Sequence, residues 1–441
     1  MFKNYRLSNA QIITLGFAGF ILLGTLLLML PFANKDPGSA RFTDCLFTAT
    51  SAVCVTGLVV RDTATYWTPF GQAVILTMIQ IGGMGVVMAA VSTAFISGRK
   101  IGLKQRRVLQ ESISAPQVGG IVRFTRFILL TTLCIELIGA VLLMPTTIPA
   151  FGLGRGIWYA FFHSISAFCN AGFDLMGIQG EFSSLTGFEN NVLLNLTIIL
   201  LITVGGIGFL VWNDIKDNKF HWKRYRLQTK VVLLTSAALV LVPALWFFIF
   251  EMQDMTAGER ILPSLFQSVT LRTAGFNTVD LNRISGSGQV IMIFWMLVGG
   301  SPGSTAGGMK TTTLAVLIMT AFSVFRRKEN VSFLGRRVSD STIRNAIAII
   351  MMYGVLFFIG GVTISWIEDL PLRYCLFETA SALGTVGLTL GITSQLTLAS
   401  KMILIVLMFM GRVGGLTLIF AAQSMKKGPN SMMPLENITV G

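Results

Sequence analysis

FHSISAFCNAGF, residues 162–173, begins on an aromatic ring, runs through small and hydroxylated residues, and closes on a glycine followed by a second ring. The same outline returns as FTATSAVCVTGL (47–58), FQSVTLRTAGF (266–276) and FETASALGTVGL (377–388). The glycines Gly57, Gly172, Gly275 and Gly387 are spaced by 115, 103 and 112 residues. A Phe stands ten positions before the glycine in three segments and nine before it in the third, and Leu or Phe follows each glycine. Recurrence at a nearly fixed spacing marks an internal repeat, which apolar composition alone does not produce.

Outward from these segments the chain is strongly apolar. Of its 441 residues 53% are hydrophobic and only 12% charged, and the mean hydropathy is +0.71. Apolar runs occupy 11–31, 72–97, 127–150, 191–213, 231–250, 289–298, 311–325, 345–366 and 401–421. A hydrocarbon core needs about 20 residues of helix, and most of these runs supply them. The composition therefore predicts an all-α polytopic membrane protein. The first run is too long for a signal-peptide core and is expected to remain as a helix. The five cysteines form no CxxC pair, which leaves apolar packing as their expected role.

The net charge of +14 is clustered. Lys3 and Arg6, GRKIGLKQRR (98–107) with Arg123 and Arg126, KDNKFHWKRYRLQTK (216–230), FRRKENVSFLGRR (325–337) with Arg344, and Lys426 with Lys427 hold most of the cations. They alternate with the repeat segments as the positive-inside rule requires, so nucleic acid is not an expected partner. Both termini and three basic loops are placed in the cytoplasm of a multi-pass cell-membrane protein with eight full spans. The repeats are expected at 1–98, 120–213, 226–325 and 342–424, with a cytoplasmic tail at 425–441.

A helix of about ten residues reaches only about half-way through a bilayer. Each repeat segment is thus expected to enter from the outer side, turn at its glycine and return. Irregular backbone at that depth survives in protein or along a water-filled path, and four such loops around one axis make a pore. Their carbonyls can replace a cation's hydration shell. Glycine lets a carbonyl turn where a side chain would clash, and the half-helices aim their partially negative ends inward. The expected filter is Val55, Thr56 and Gly57; Asn170, Ala171 and Gly172; Thr273, Ala274 and Gly275; and Thr385, Val386 and Gly387.

With CVTGL, CNAGF, RTAGF and GTVGL in register, the whole chain resembles the Trk/Ktr/HKT superfamily of potassium transporters, and most closely the bacterial Ktr-type membrane subunit. The resemblance implies potassium at the filter carbonyls as the only metal, selectivity from the four glycines, and sodium preference where Ser replaces the first. It also implies a homodimer with one pore per protomer and an octameric cytosolic nucleotide-binding ring as regulatory partner. Sodium is a candidate stimulating or co-transported ion. No cofactor is expected on this chain.

Residues 298–310, VGGSPGSTAGGMK, nearly match the phosphate-cradling G-x-x-x-x-G-K-[ST], but Met309 spoils the spacing and the flanks are apolar. As one helix, 288–325 would be about 57 Å long, nearly twice the hydrocarbon core. Glycines and Pro302 break it, and the hydroxyls can satisfy freed backbone groups. Gly299, Gly300, Ser301, Pro302, Gly303, Ser304, Thr305, Ala306, Gly307 and Gly308 are therefore expected to form a gate beneath the filter, with Lys310 and Arg412 beside it. The corresponding GGMG (82–85), GGIG (205–208) and GRVGG (411–415) suggest close packing or mild kinks.

An intramembrane cation is functional by default. At about 6 Å from a passing ion, Arg412 would repel it by roughly 3 kcal/mol at an effective dielectric near 20. For Lys310, interfacial reach or neutralisation of an acid stands equal with gating. Thr48, His163, Gln267 and Glu378 occupy equivalent places and suggest half-helix starts near water. Glu378 reads as a helix N-terminal charge or a cation attractor, Glu136 as an intramembrane carboxylate, and Arg272 as a pair with Asp280. Alternatives are a sodium/potassium symporter, a less selective monovalent-cation channel and, more distantly, a substrate–ion secondary transporter. Catalysis is not expected, because no nucleophile–base set or metal cluster is apparent.

Overall fold

The structure, a computed structural model, describes residues 7–36, 38–96, 101–113, 117, 119–219 and 221–422. The expected tail at 425–441, and Lys3, Arg6, Lys426 and Lys427, lie outside the described residues.

The element order recurs along the chain. First come α1 (Asn9–Leu28), α2 (Phe42–Cys54), α3 (Thr63–Tyr66), α4 (Pro69–Met84) and α5 (Val86–Ile96), followed by α6 (Leu103–Ser112). Next are α7 (Ile121–Phe151), α8 (Leu153–Phe168), α9 (Val192–Ile207) and α10 (Phe209–Asn218). Then follow α11 (Leu227–Trp246), α12 (Ala257–Thr270), α13 (Gly286–Met296) and α14 (Thr311–Phe325). A two-residue hairpin, β1 (Ser332–Phe333) with β2 (Arg336–Arg337), precedes α15 (Asp340–Glu368), α16 (Leu372–Gly384), α17 (Leu398–Val413) and α18 (Gly415–Ala422).

Among the described residues four helices qualify as membrane spans by length and apolarity: α1, α7, α11 with its π-helical extension to Glu251, and α15. Each is the first helix of its group and shows lipid-suited apolar side chains outward, such as Leu22, Leu26, Leu137, Val141, Leu241, Leu245, Phe358 and Ile359. Their buried faces are narrow, so packing rather than an amphipathic stripe orients them.

The second helices of the groups all break. α4 and α5 meet at 102°, and α9 and α10 at 92°. These are not the mild kinks the glycine motifs suggest. Gly85, Gly208 and Gly414 have φ of +91°, +104° and +87°, which an L side chain rarely adopts. The expectation of close packing holds one turn earlier. A Cβ at Gly82, Gly205 or Gly411 would strike the carbonyl of Val53, Phe168 or Leu383, near the end of the preceding short helix. In the third group the break widens into the loop from 297 to 310, as the length of 288–325 requires. If each bent pair counts as one span, up to six segments among the described residues qualify by length and composition.

The short helices α2, α8, α12 and α16 have 13, 16, 14 and 13 residues. Their inner halves are fully packed: Phe47, Phe162, Phe266 and Phe377 are all buried. This core surrounds the ends of the short helices and positions the site.

Candidate functional site

The four recurrent glycines meet. A Cβ on Gly57 would lie 2.6 Å from the Ala171 carbonyl oxygen and 3.2 Å from Gly172 Cα. On Gly172 it would lie 2.8 Å from Ala274 O and from Gly275 Cα, and on Gly275 2.5 Å from Val386 O. On Gly387 it would strike Thr56 O, with Gly57 Cα 2.9 Å away. Contacts thus run 57 to 172 to 275 to 387 and back to 57, a closed ring. The carbonyl preceding each glycine packs on the glycine before it in the ring.

The backbone repeats this order. Val55, Asn170, Thr273 and Thr385, two positions before each glycine, all sit in the left-handed region with φ of 56°, 57°, 62° and 52°. Such values cost energy for β-branched residues and persist where surroundings hold them. The hold comes from hydroxyls four residues after each leading Phe. Ser51 and Ser381 accept from the amides of Gly57 and Gly387 at 3.1 and 3.0 Å. Ser166 donates to Phe173 O at 2.7 Å, and Thr270 donates to Phe276 O. The third segment is one residue shorter because its left-handed residue comes one position sooner after the Phe. Thr56, Thr273 and Thr385 each keep a buried hydroxyl that makes no hydrogen bond.

The loop 299–308 lies directly against this ring. Thr305 Oγ1 donates to Phe168 O at 3.0 Å and to Asn170 Oδ1 at 3.1 Å, and a Cβ on Gly307 would strike Thr385 Oγ1. The bent helices hold the loop. Ser301 N and Thr305 N donate to Gly206 O and Gly205 O, Gly308 N to Gly411 O, and Phe209 N to Gly303 O at 2.7 Å. Gly299 N pairs with Met309 O at 2.8 Å, closing the loop at its base. Gly300 O accepts from Thr311 N, and Ser304 donates to Ser301 O, so the irregular backbone is widely paired.

Two cations sit beneath. Lys310 Nζ donates to Ala306 O at 2.8 Å and Gly307 O at 3.3 Å, so the side chain folds onto its own loop and, among the described residues, pairs with no acid. Arg412 donates to Thr305 O, to Gly82 O, and to Gly83 O at 3.0 Å. One guanidinium therefore joins the loop to the bend of α4. A cavity of about 320 Å³ opens below, lined by residues that include Gly85, Ser304, Lys310, Arg412 and Gly414.

Other expected residues land differently. Thr48, His163, Gln267 and Glu378 are fully buried and do not mark helix starts near water, because their helices begin five to nine residues before the leading Phe. His163 Nε2 accepts from Leu175 N at 3.3 Å, and Glu378 accepts from Thr389 and, at 2.9 Å, from Thr393. These two tie the short helix to the chain leaving the glycine. Glu378 is the seventh residue of α16, too far along to be an N-terminal charge. Glu136 accepts from Gln80 at 3.1 Å. Arg272 does not pair with Asp280, which caps its own turn through Asn282 N. Instead the guanidinium reaches Ser236 O and Gly299 O, both at 3.5 Å. Among the described residues no group of His, Cys, Asp or Glu could hold a metal ion.

Sequence reading missed the rim on the side away from the loop. Val59, Asp174, Asn277 and Thr389, two positions after each glycine, are partly exposed while both neighbours of each are buried. Asp174 is the one acid of the four. Loss of hydration pushes its carboxyl up to about 7, against the lowering effect of the Met176 amide and with the Asp62 charge adding to the rise. Aligning the four segments two residues further would have exposed it.

Residues 9–432 match the family model described as TrkH, cation transport protein. The chain is 39% identical to the potassium/sodium uptake protein NtpJ of Enterococcus hirae, over 99% of this chain and 98% of the relative. It is 38% identical to the Ktr system potassium uptake protein B of Bacillus subtilis, over 95% and 94%. The crystal structure of the potassium transporter TrkH from Vibrio parahaemolyticus is similar with a TM-score of 0.76 and 20% identity, covering 96% of this chain and 86% of that one.

Proposed function

Because the chain belongs to the TrkH family of cation transport proteins, we propose that it is the potassium-translocating subunit of a cell-membrane uptake system. The observation that carries this reading is the closed ring of Gly57, Gly172, Gly275 and Gly387, with a left-handed residue two positions before each. Carbonyls gathered at such a ring offer a cation oxygens in place of water, and the ends of α2, α8, α12 and α16 add partial negative charge. The four groups, at 1–98, 120–213, 226–325 and 342–424, act as four pore-loop units of one pore with eight spans, both termini in the cytoplasm.

The loop 299–308 is the gate. Its seat against Asn170 and Thr385 puts backbone across the path an ion takes from the ring, and Arg412 adds positive charge there. A homodimer with one pore per protomer, regulated by a cytosolic nucleotide-binding ring on the basic faces, follows from the same family reading. Coupled sodium/potassium uptake is the second reading, favoured by the naming of NtpJ as a potassium/sodium uptake protein.

Proteoliposomes holding the purified protein test both. Uptake of rubidium as a potassium surrogate, driven by an imposed potential without sodium, is the expected result. Uptake that requires a sodium gradient would replace conduction by coupled transport. No cation uptake under either condition would overturn the assignment.

A further inference from the structure

Arg272 is a guanidinium without a counter-ion inside the apolar body of the molecule. It is 7% exposed, its Nε makes no hydrogen bond, and its two other contacts are carbonyls at 3.5 Å. Among the described residues no carboxylate pairs with it. It lines the inner end of a cavity of about 370 Å³ between α9 and α11, floored by the end of α12. Ile202, Ile207, Leu233 and Val240 supply apolar walls, and the exposed Ala237 and Leu241 stand at a lateral opening on the lipid side. That volume falls in the range of about 300–1,000 Å³ typical of small-molecule sites.

A buried charge without a partner is costly, and an anion brought to it is held strongly in low dielectric. The guanidinium fork suits a carboxylate, which it can bind through two parallel hydrogen bonds. Depth narrows the ligand further. Ser236 lies on α11 five residues past the start of the apolar run at 231, about 8 Å into the hydrocarbon. A phospholipid headgroup is tethered at the interface, whereas a single-chain fatty acid enters the hydrocarbon whole.

We infer that the cleft between α9 and α11 is a fatty-acid site, with the acid group on Arg272 and the chain along Ile202, Leu233 and Val240. Arg272 also reaches Gly299 O, the first carbonyl of the loop beneath the glycine ring, so occupancy competes for that contact.

The full-length protein in nanodiscs is titrated with a fluorescent polyene fatty acid. Saturable binding is expected, displaced by oleic acid and at least about tenfold less well by methyl oleate, which lacks the acid group. Arg272→Gln is expected to weaken binding about tenfold or more, and Val240→Trp to block it by filling the cleft. Size-exclusion profiles establish that each variant is folded, and if Arg272→Gln fails there, Val240→Trp decides alone. Equal displacement by the acid and its methyl ester, or undiminished binding to Val240→Trp, would overturn the inference. The readout is binding, so it stands apart from whether the pore conducts.

Discussion

Gly57 illustrates how little room the ring allows. A Cβ there meets a carbonyl oxygen at 2.6 Å with the backbone at φ +93°, so both sterics and conformation oppose any side chain. Gly57→Ser is expected to push the Ala171 carbonyl outward and to lower rubidium-over-sodium selectivity in proteoliposome uptake by about tenfold, roughly 1.4 kcal/mol. An unchanged ratio in a folded variant would remove Gly57 from the filter. Asp174 carries a different prediction. A carboxyl raised to about 7 is charged above that pH and neutral below it. Lowering external pH from about 8 to about 6 should therefore remove negative charge from the outer rim and slow cation uptake. In Asp174→Asn the rate should be lower at alkaline pH and the pH dependence largely lost. A wild-type slope retained in that variant would move the effect to another group.

Among the elements, the broken second helices hold the key positions. Their glycines serve two separate needs: Gly82, Gly205 and Gly411 admit the carbonyls of the short helices, while Gly85, Gly208 and Gly414 make the turn. The bent ends then offer carbonyls and amides to which the 299–308 loop attaches, at Gly205, Gly206, Phe209 and Gly411. Arg412 completes the attachment on the α4 side. Backbone held this way from several elements is fixed at defined contacts, which are the points of release if the loop is the proposed gate. Deleting Pro302 through Thr305 removes the Thr305 contacts to Asn170 and Arg412 together, and rubidium flux is expected to rise about tenfold or more. Unchanged or lost flux in a variant that still elutes as folded protein would exclude the loop as the gate.

Across the whole molecule the strongly basic clusters are confined to alternate connections. Asp36, Asp62, Asp174, Glu181, Glu189, Asp254 and Asp280 lie on connections beside the rim, interspersed with Lys35, Arg61, Arg283 and Lys401, whereas the clusters at 98–107, 216–230 and 325–337 lie on the connections that alternate with them and are mainly basic. Basic clusters confined to alternate connections suit contact with anionic lipid. The helical membrane class, the recurrence of the short segments and the break within 288–325 were legible in the residues. Each is a property of one stretch of chain: apolar length, glycine freedom, and spacing from a Phe. What the residues could not give was which distant groups meet. Thr305 finds Asn170 across 135 positions, and Arg412 finds Gly82 across 330. Nor did the glycine motifs separate a packing glycine from a turning one, so bends of 102° and 92° read as mild kinks. Arg272 was assigned an acid because its local sequence offered one, although the fold carries it to carbonyls of α11 and the loop. Local chemistry along this chain determined that four short segments in an apolar protein each lead into a glycine turn. Only the tertiary structure decided that those glycines close on one another and that a loop lies beneath them, because both depend on packing between residues more than a hundred positions apart.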